Sequence, residues 1–118
     1  MAKKILIVDD DSSIRDYLTT LFEDNGYEAR TAGSGAEALK LLEQDAPDLI
    51  TLDIEMPEMT GPWFSRTVAK GGAHDRIPVI VITGHAGLQY VIPKAVASLT
   101  KPFDQAELLR IVRETIGQ

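Results

Sequence analysis

The sequence predicts an α/β fold, a parallel sheet with helices on both faces, and two observations lead to it. Short apolar, β-branched runs such as Ile5-Leu6-Ile7-Val8 and Val79-Ile80-Val81-Ile82 are too continuous for strands with one wet face, so helices must cover both sides. These runs also alternate about five times with segments of helical periodicity, the order that right-handed crossovers between parallel strands produce.

In chain order, Ile5 to Val8 is the first strand, and it ends abruptly in Asp9-Asp10-Asp11. Ser12 and Ser13 are expected to cap a helix whose apolar positions Ile14, Tyr17, Leu18, Leu21 and Phe22 recur at helical spacing, with Asn25-Gly26 as its stop. Tyr27 to Ala32 is a weaker strand; Glu28 and Arg30 place it at a sheet edge, where charge discourages further pairing. Ser34 and Glu37 form a capping box for a helix with Ala38, Leu41 and Leu42 on one face, closed by Pro47. Asp48 to Asp53 is again an apolar run that delivers an acid. After the loop from Ile54 to Gly61, Pro62 suits the first turn of a helix carrying Trp63, Phe64 and Val68 and ended by Gly71-Gly72. Ile77 to Thr83 is the most hydrophobic strand and ends in a hydroxyl. Ala95 to Leu99 leads to Thr100-Lys101-Pro102, and Asp104 with Glu107 is expected to form a second capping box for a helix bearing Leu108, Leu109, Val112 and Ile116.

Composition narrows the function. The 118 residues, 44% apolar and 25% charged, amount to one globular domain. The 12 basic and 18 acidic side chains leave a net charge of −6, which repels phosphate backbones and anionic lipid, so direct nucleic-acid binding is not expected. Cysteine is absent, which removes disulfides, thiolate nucleophiles and cysteine-rich zinc sites. No apolar run approaches the ~20 residues of a membrane helix, and neither signal peptide nor anchor is read, so a cytoplasmic location is expected.

Open parallel sheets bind ligands outside the carboxyl ends of their strands. Those ends carry Asp9 and Asp10, Asp53, Thr83 and Lys101. Taken singly, each has an ordinary reading as a cap, a turn residue or a solvated charge; four strand ends converging on one edge make a site. Clustered carboxylates repel and call for a cation, and an all-oxygen donor set without thiolates favours a hard ion such as Mg²⁺. A carboxylate can also attack a phosphoryl group, with positive charge and hydroxyl donors neutralising the transferred oxygens.

The blocks Ile5-Leu-Ile-Val-Asp-Asp10, Leu52-Asp-Ile-Glu-Met-Pro-Glu-Met-Thr-Gly61, Val81-Ile-Thr83 and Thr100-Lys-Pro-Phe103 together closely resemble the receiver domain of two-component response regulators, the chemotaxis-Y-like family. The resemblance spans essentially residues 1–118 as one receiver domain. It implies a flavodoxin-like doubly wound (βα)5 fold with a five-stranded sheet of order 2-1-3-4-5 in three α/β/α layers. It implies that Asp53 is the phosphoacceptor, that Asp10 ligates Mg²⁺ or Mn²⁺ directly together with Asp53 and the backbone carbonyl of Glu55, and that Asp9 acts through water. Thr83 and Lys101 then contact the phosphoryl oxygens, and Lys101-Pro102 is cis. The implied phosphodonor is a sensor histidine kinase or a phosphotransfer protein. An output domain or downstream target, and a phosphorylation-dependent dimer, are the implied readouts in a phosphorelay; the chain is either a single-domain regulator or the amino-terminal receiver of a longer one.

The sequence departs from the family in one region. Lys101 stands 18 positions after Thr83, shorter than usual by roughly one helical turn of ~3.6 residues, and Pro93 lies inside the interval. The fourth helix is therefore expected to be short, irregular or mobile. Ser98 replaces the usual switch aromatic three residues before the lysine, and Tyr90 reads as a loop aromatic. The expectation is that phosphorylation reorders the segment 84–97 itself. Glu55 and His85, two residues past Asp53 and Thr83, are candidates for setting the acyl phosphate's lifetime, His85 through a pKa near 6.5; as a loop residue, His85 also has an ordinary reading with no role. A haloacid-dehalogenase-like phosphatase would also use Asp9 and Asp11, but it needs a further acidic pair on a strand, whereas Asp104, Glu107 and Glu114 fall on the terminal helix. The remaining rival is a receiver-like binding module without phosphorylation.

Overall fold

The computed structural model describes residues 2–53, 77–84 and 95–117. Their elements are β1 (Lys4–Val8), α1 (Ser12–Asp24), β2 (Glu28–Ala32), α2 (Gly35–Gln44), β3 (Leu49–Leu52), β4 (Val79–Thr83), β5 (Ala97–Thr100) and α3 (Gln105–Ile116). All four ladders are parallel, as the alternation of strands and helices predicted, and the strand order is β2-β1-β3-β4-β5, as the family resemblance implied. The loop 54–61, the helix expected from Pro62, and residues 85–94 of the shortened interval, Pro93 and Tyr90 included, lie outside the described residues.

Because successive strand residues face opposite sides, each strand feeds two cores. Leu6, Val8, Ile50, Leu52 and Val81 pack with Ala38 and Leu42 of α2 on one face. Ile5, Ile7, Leu49, Ile80, Ile82 and Leu99 pack on the other with Leu18, Leu21 and Phe22 of α1 and Leu108 and Val112 of α3. These are three layers. Ile5 to Val8 are all buried, as a central strand covered on both faces requires.

The helix caps differ in detail from the expected ones, and for a common reason. Asp11, not Ser12 or Ser13, is the N-cap of α1: it is the last extended residue leaving β1, and its carboxylate accepts from Ser13 N–H at 2.9 Å. Asp104 caps α3 through Ala106 N–H at 2.9 Å, two residues on, rather than through Glu107. The short aspartate side chain reaches the amide two residues ahead, the geometry of an Asx turn. Half of the expected Ser34 box forms, with Glu37 N–H on Ser34 Oγ at 3.1 Å, while the Glu37 carboxylate accepts from Gly33 N–H at 3.0 Å, one residue before the cap. Tyr27 precedes β2 rather than opening it; its buried ring meets Phe22 edge-on, and its hydroxyl donates to Gly117 O at 2.8 Å. Gly26 has φ 90°, which closes α1 as the Asn25-Gly26 pair suggested.

Two features of the sheet lead to predictions. At its amino edge the Asp45 carboxylate meets Lys4 Nζ at 2.7 Å and Arg30 at 3.1 Å. The Lys4 hydrogen bond, joined by the charges of Lys4 and Arg30, holds Asp45 below its ordinary 3.8. A lowered carboxylate pKa stabilises the fold above the unfolded value and loses that contribution as pH falls through the folded one. Asp45→Asn therefore lowers the urea midpoint at neutral pH, and the gap to the parent closes as the pH is taken below 3.8. Within the sheet, Thr51 is buried between Ile7 and Ile80, and among the described residues its hydroxyl is the buried side-chain group without a hydrogen-bond partner. An unsatisfied buried hydroxyl costs about 1–3 kcal/mol. Thr51→Val keeps the shape and removes the donor, so it raises unfolding stability by about 1 kcal/mol, read from denaturant titrations.

Candidate functional site

Strand register builds the site. Val8 pairs with Leu52, so the next residues, Asp9 and Asp53, leave the sheet side by side, and Asp53 N–H continues the ladder to Val8 O at 2.9 Å. Thr83 pairs with Thr100, and Lys101 N–H bonds Thr83 O at 2.7 Å. Three strands thus bring Asp53, Thr83 and Lys101 together, and β1 adds Asp9 and Asp10.

Carboxylate oxygens of Asp9, Asp10 and Asp53 lie within 4.8 Å of one another. Asp9 and Asp53 are buried, Asp10 is exposed and Thr83 has no exposed surface. Each Asp9 oxygen has a partner: Oδ1 accepts from Asp11 N–H at 2.9 Å and Oδ2 from Lys101 Nζ at 3.0 Å. The same ammonium reaches Asp53 Oδ2 at 3.4 Å. Burial pulls the Lys101 pKa down, but the hydrogen bond to Asp9 and the negative charges of Asp53 and Asp9 outweigh it. The result lies above the ordinary 10.5, so the side chain is a cation at neutral pH.

The donor set fits a hard divalent ion. It is made of carboxylate oxygens, close enough together to share one cation and opening to solvent at Asp10. Lys101-Pro102 is cis, as the resemblance implied. A groove of about 430 Å³ is lined by Ile14, Tyr17, Lys101, Pro102 and Phe103. Ser98 stands exposed on β5. Glu55 and His85 lie outside the described residues.

Sequence reasoning passed over Arg15. In α1 it occupies the first helical turn, where the helix dipole disfavours a cation, and that misfit was the available signal. Its Nη1 donates to Asp9 O at 2.8 Å.

Comparison with known proteins agrees with this fold. The sequence profile of the response regulator receiver domain matches residues 5–113. The chain is 36% identical over 117 residues to protein Rrf1 of Nitratidesulfovibrio vulgaris, covering 99% of this chain and 85% of that protein. It spans 50% of the length of other response regulators that it matches. Among solved structures, chemotaxis protein CheY4 of Vibrio cholerae superposes with a TM-score of 0.87 at 31% identity, over 98% of this chain and 99% of that one. The receiver domain of sensor histidine kinase PA1611 from Pseudomonas aeruginosa, which has a magnesium ion coordinated in its active-site cleft, gives a TM-score of 0.88 at 26% identity over 100% of both chains. Rrf1 is related closely enough to fix the family, and the profile covers nearly the whole chain: it belongs to the response regulator receiver domains.

Proposed function

We propose that residues 1–118 form one receiver domain that takes a phosphoryl group onto Asp53 and thereby changes its partner contacts. The observation that carries this reading is the clustering of three carboxylates around one ammonium at the carboxyl edge of the sheet. An Asp53 carboxylate oxygen attacks the phosphorus of a phosphohistidine; the phosphorus–nitrogen bond breaks, the imidazole leaves with a proton from solvent, and an acyl phosphate remains. Lys101 moves from bonding the Asp53 oxygen to neutralising a phosphoryl oxygen, and the Thr83 hydroxyl hydrogen-bonds another. Hydrolysis of the acyl phosphate by water resets the domain, with Glu55 and His85 as the candidates for setting its rate.

Asp10, Asp53 and the Glu55 carbonyl would hold Mg²⁺ or Mn²⁺ directly. Asp9 would act through water, a role supported by the prior engagement of both its oxygens. When bound, the ion supplies positive charge against the carboxylates and the transferred oxygens. The magnesium in the cleft of the similar PA1611 receiver domain supports this assignment. The donor is a sensor histidine kinase or phosphotransfer protein in the cytoplasm, and the readout is a downstream target, an output domain or a phosphorylation-dependent dimer. Reordering of the segment 84–97 is the switch proposed for a chain with Ser98 at the usual aromatic position.

Acetyl phosphate tests the reaction without a partner. Intact-mass measurement shows one Mg²⁺-dependent phosphoryl adduct, peptide mapping places it on Asp53, and Asp53→Asn abolishes it; a folded parent that gains no adduct is instead a receiver-like binding module. Lys101→Ala keeps the fold and binds Mg²⁺ more tightly, since a competing cation is gone. Its labelling slows by about a hundredfold for want of an oxyanion partner. Calorimetric titration and a mass time course check the two effects.

A further inference from the structure

Arg15 grips the acidic turn at two points. Its backbone N–H donates to Asp11 O at 3.1 Å, and its guanidinium Nη1 donates to Asp9 O at 2.8 Å. Those two carbonyls flank Asp10, the exposed acid of the cluster. The guanidinium thus fixes the peptide group that precedes that acid, while the backbone bond to Asp11 O is the ordinary first bond of α1. The turn is further held by Asp9 N–H on Ala32 O at 3.1 Å and by Asp11 N–H on the Asp9 carboxylate at 2.9 Å.

The guanidinium lies over Gly33, at the start of the loop from β2 to α2. A methyl group at residue 33 would come within 3.1 Å of Arg15 Nη1 and 3.5 Å of Cζ. Gly33 does not have the positive φ of Gly26 and Gly117, so its backbone does not demand glycine. What a side chain there meets is Arg15.

We propose that Arg15 is a positioning residue for the divalent-ion site, holding Asp10 in ligating geometry from a seat that Gly33 keeps open. This rests on the metal-dependent reading of the site given above. Arg15 is assigned no contact with the ion or the phosphoryl group; its guanidinium acts through the backbone carbonyl of Asp9.

Charge and position make opposite predictions, which gives the test its sign. Arg15→Gln removes a positive charge near three carboxylates, and by electrostatics alone Mg²⁺ would bind more tightly. If Arg15 positions Asp10, Mg²⁺ binds more weakly, by about tenfold, as with loss of a group that orients a metal ligand. Gly33→Val leaves every charge in place and displaces the guanidinium, so it weakens Mg²⁺ to a similar degree. The double variant is no weaker than either single one, because both remove the same contact.

The measurement is calorimetric titration of each variant with MgCl₂ at fixed ionic strength, beside melting curves without metal that verify each is folded at the titration temperature. Weaker binding in both single variants without further loss in the double one supports the proposal. Unchanged or tighter binding in Arg15→Gln overturns it, as does a double variant whose losses add; if one variant fails to fold, the other single variant still decides by the same sign. A folded parent that binds no Mg²⁺ overturns the metal-dependent reading itself, and the proposal with it.

Discussion

Repulsion among three carboxylates at one sheet edge is the constraint on which the rest of this structure depends. At an effective dielectric constant of ~20, two unit negative charges about 5 Å apart cost about 3 kcal/mol. The fold meets this cost with Lys101, whose ammonium lies against two of the acids, and with the Asp11 amide, which serves the free oxygen of Asp9. The relief is incomplete by one acid. Asp10 remains exposed, so the site as built is balanced for acids in contact with water and still attractive to a small cation.

The same constraint separates the roles of two neighbouring aspartates. Asp9 is buried and bonded at both oxygens, whereas Asp10 one residue later is exposed, although the two carboxylates reach within 4.8 Å of each other. Burial thus turns one acid into part of the scaffold and leaves the other available as a ligand.

Most of this was legible in the sequence, since strand and helix identities follow from periodicity and chain order. Val8 before Asp9 and Leu52 before Asp53 each announce an apolar run ending in a functional group, Thr100 closes a shorter strand before Lys101, and parallel register makes those ends coincide. The cis Lys101-Pro102 bond came from family likeness alone. Local hydrogen-bond choices were less legible. Ser12, Ser13 and Asp11 are all good caps, and only the point at which the chain stops being extended selects Asp11. Glu37 could return to either of two adjacent amides, and the loop geometry selects Gly33. Arg15 was hidden because its partners are backbone carbonyls, which carry no signature in the sequence.

The placement of Lys101 on the last strand also bears on how the chain assembles. Both hydrogen-bonding edges of β1 are satisfied by β2 and β3, so the first 52 residues already contain a three-stranded sheet with Asp9 and Asp10 at its rim. Lys101 lies 48 residues beyond Asp53. During synthesis from the amino end, the repulsion is therefore laid down well before the ammonium that relieves it. Until β5 docks, water and dissolved cations screen the acids in place of Lys101, so the growing chain is more sensitive to its ionic surroundings than the finished fold.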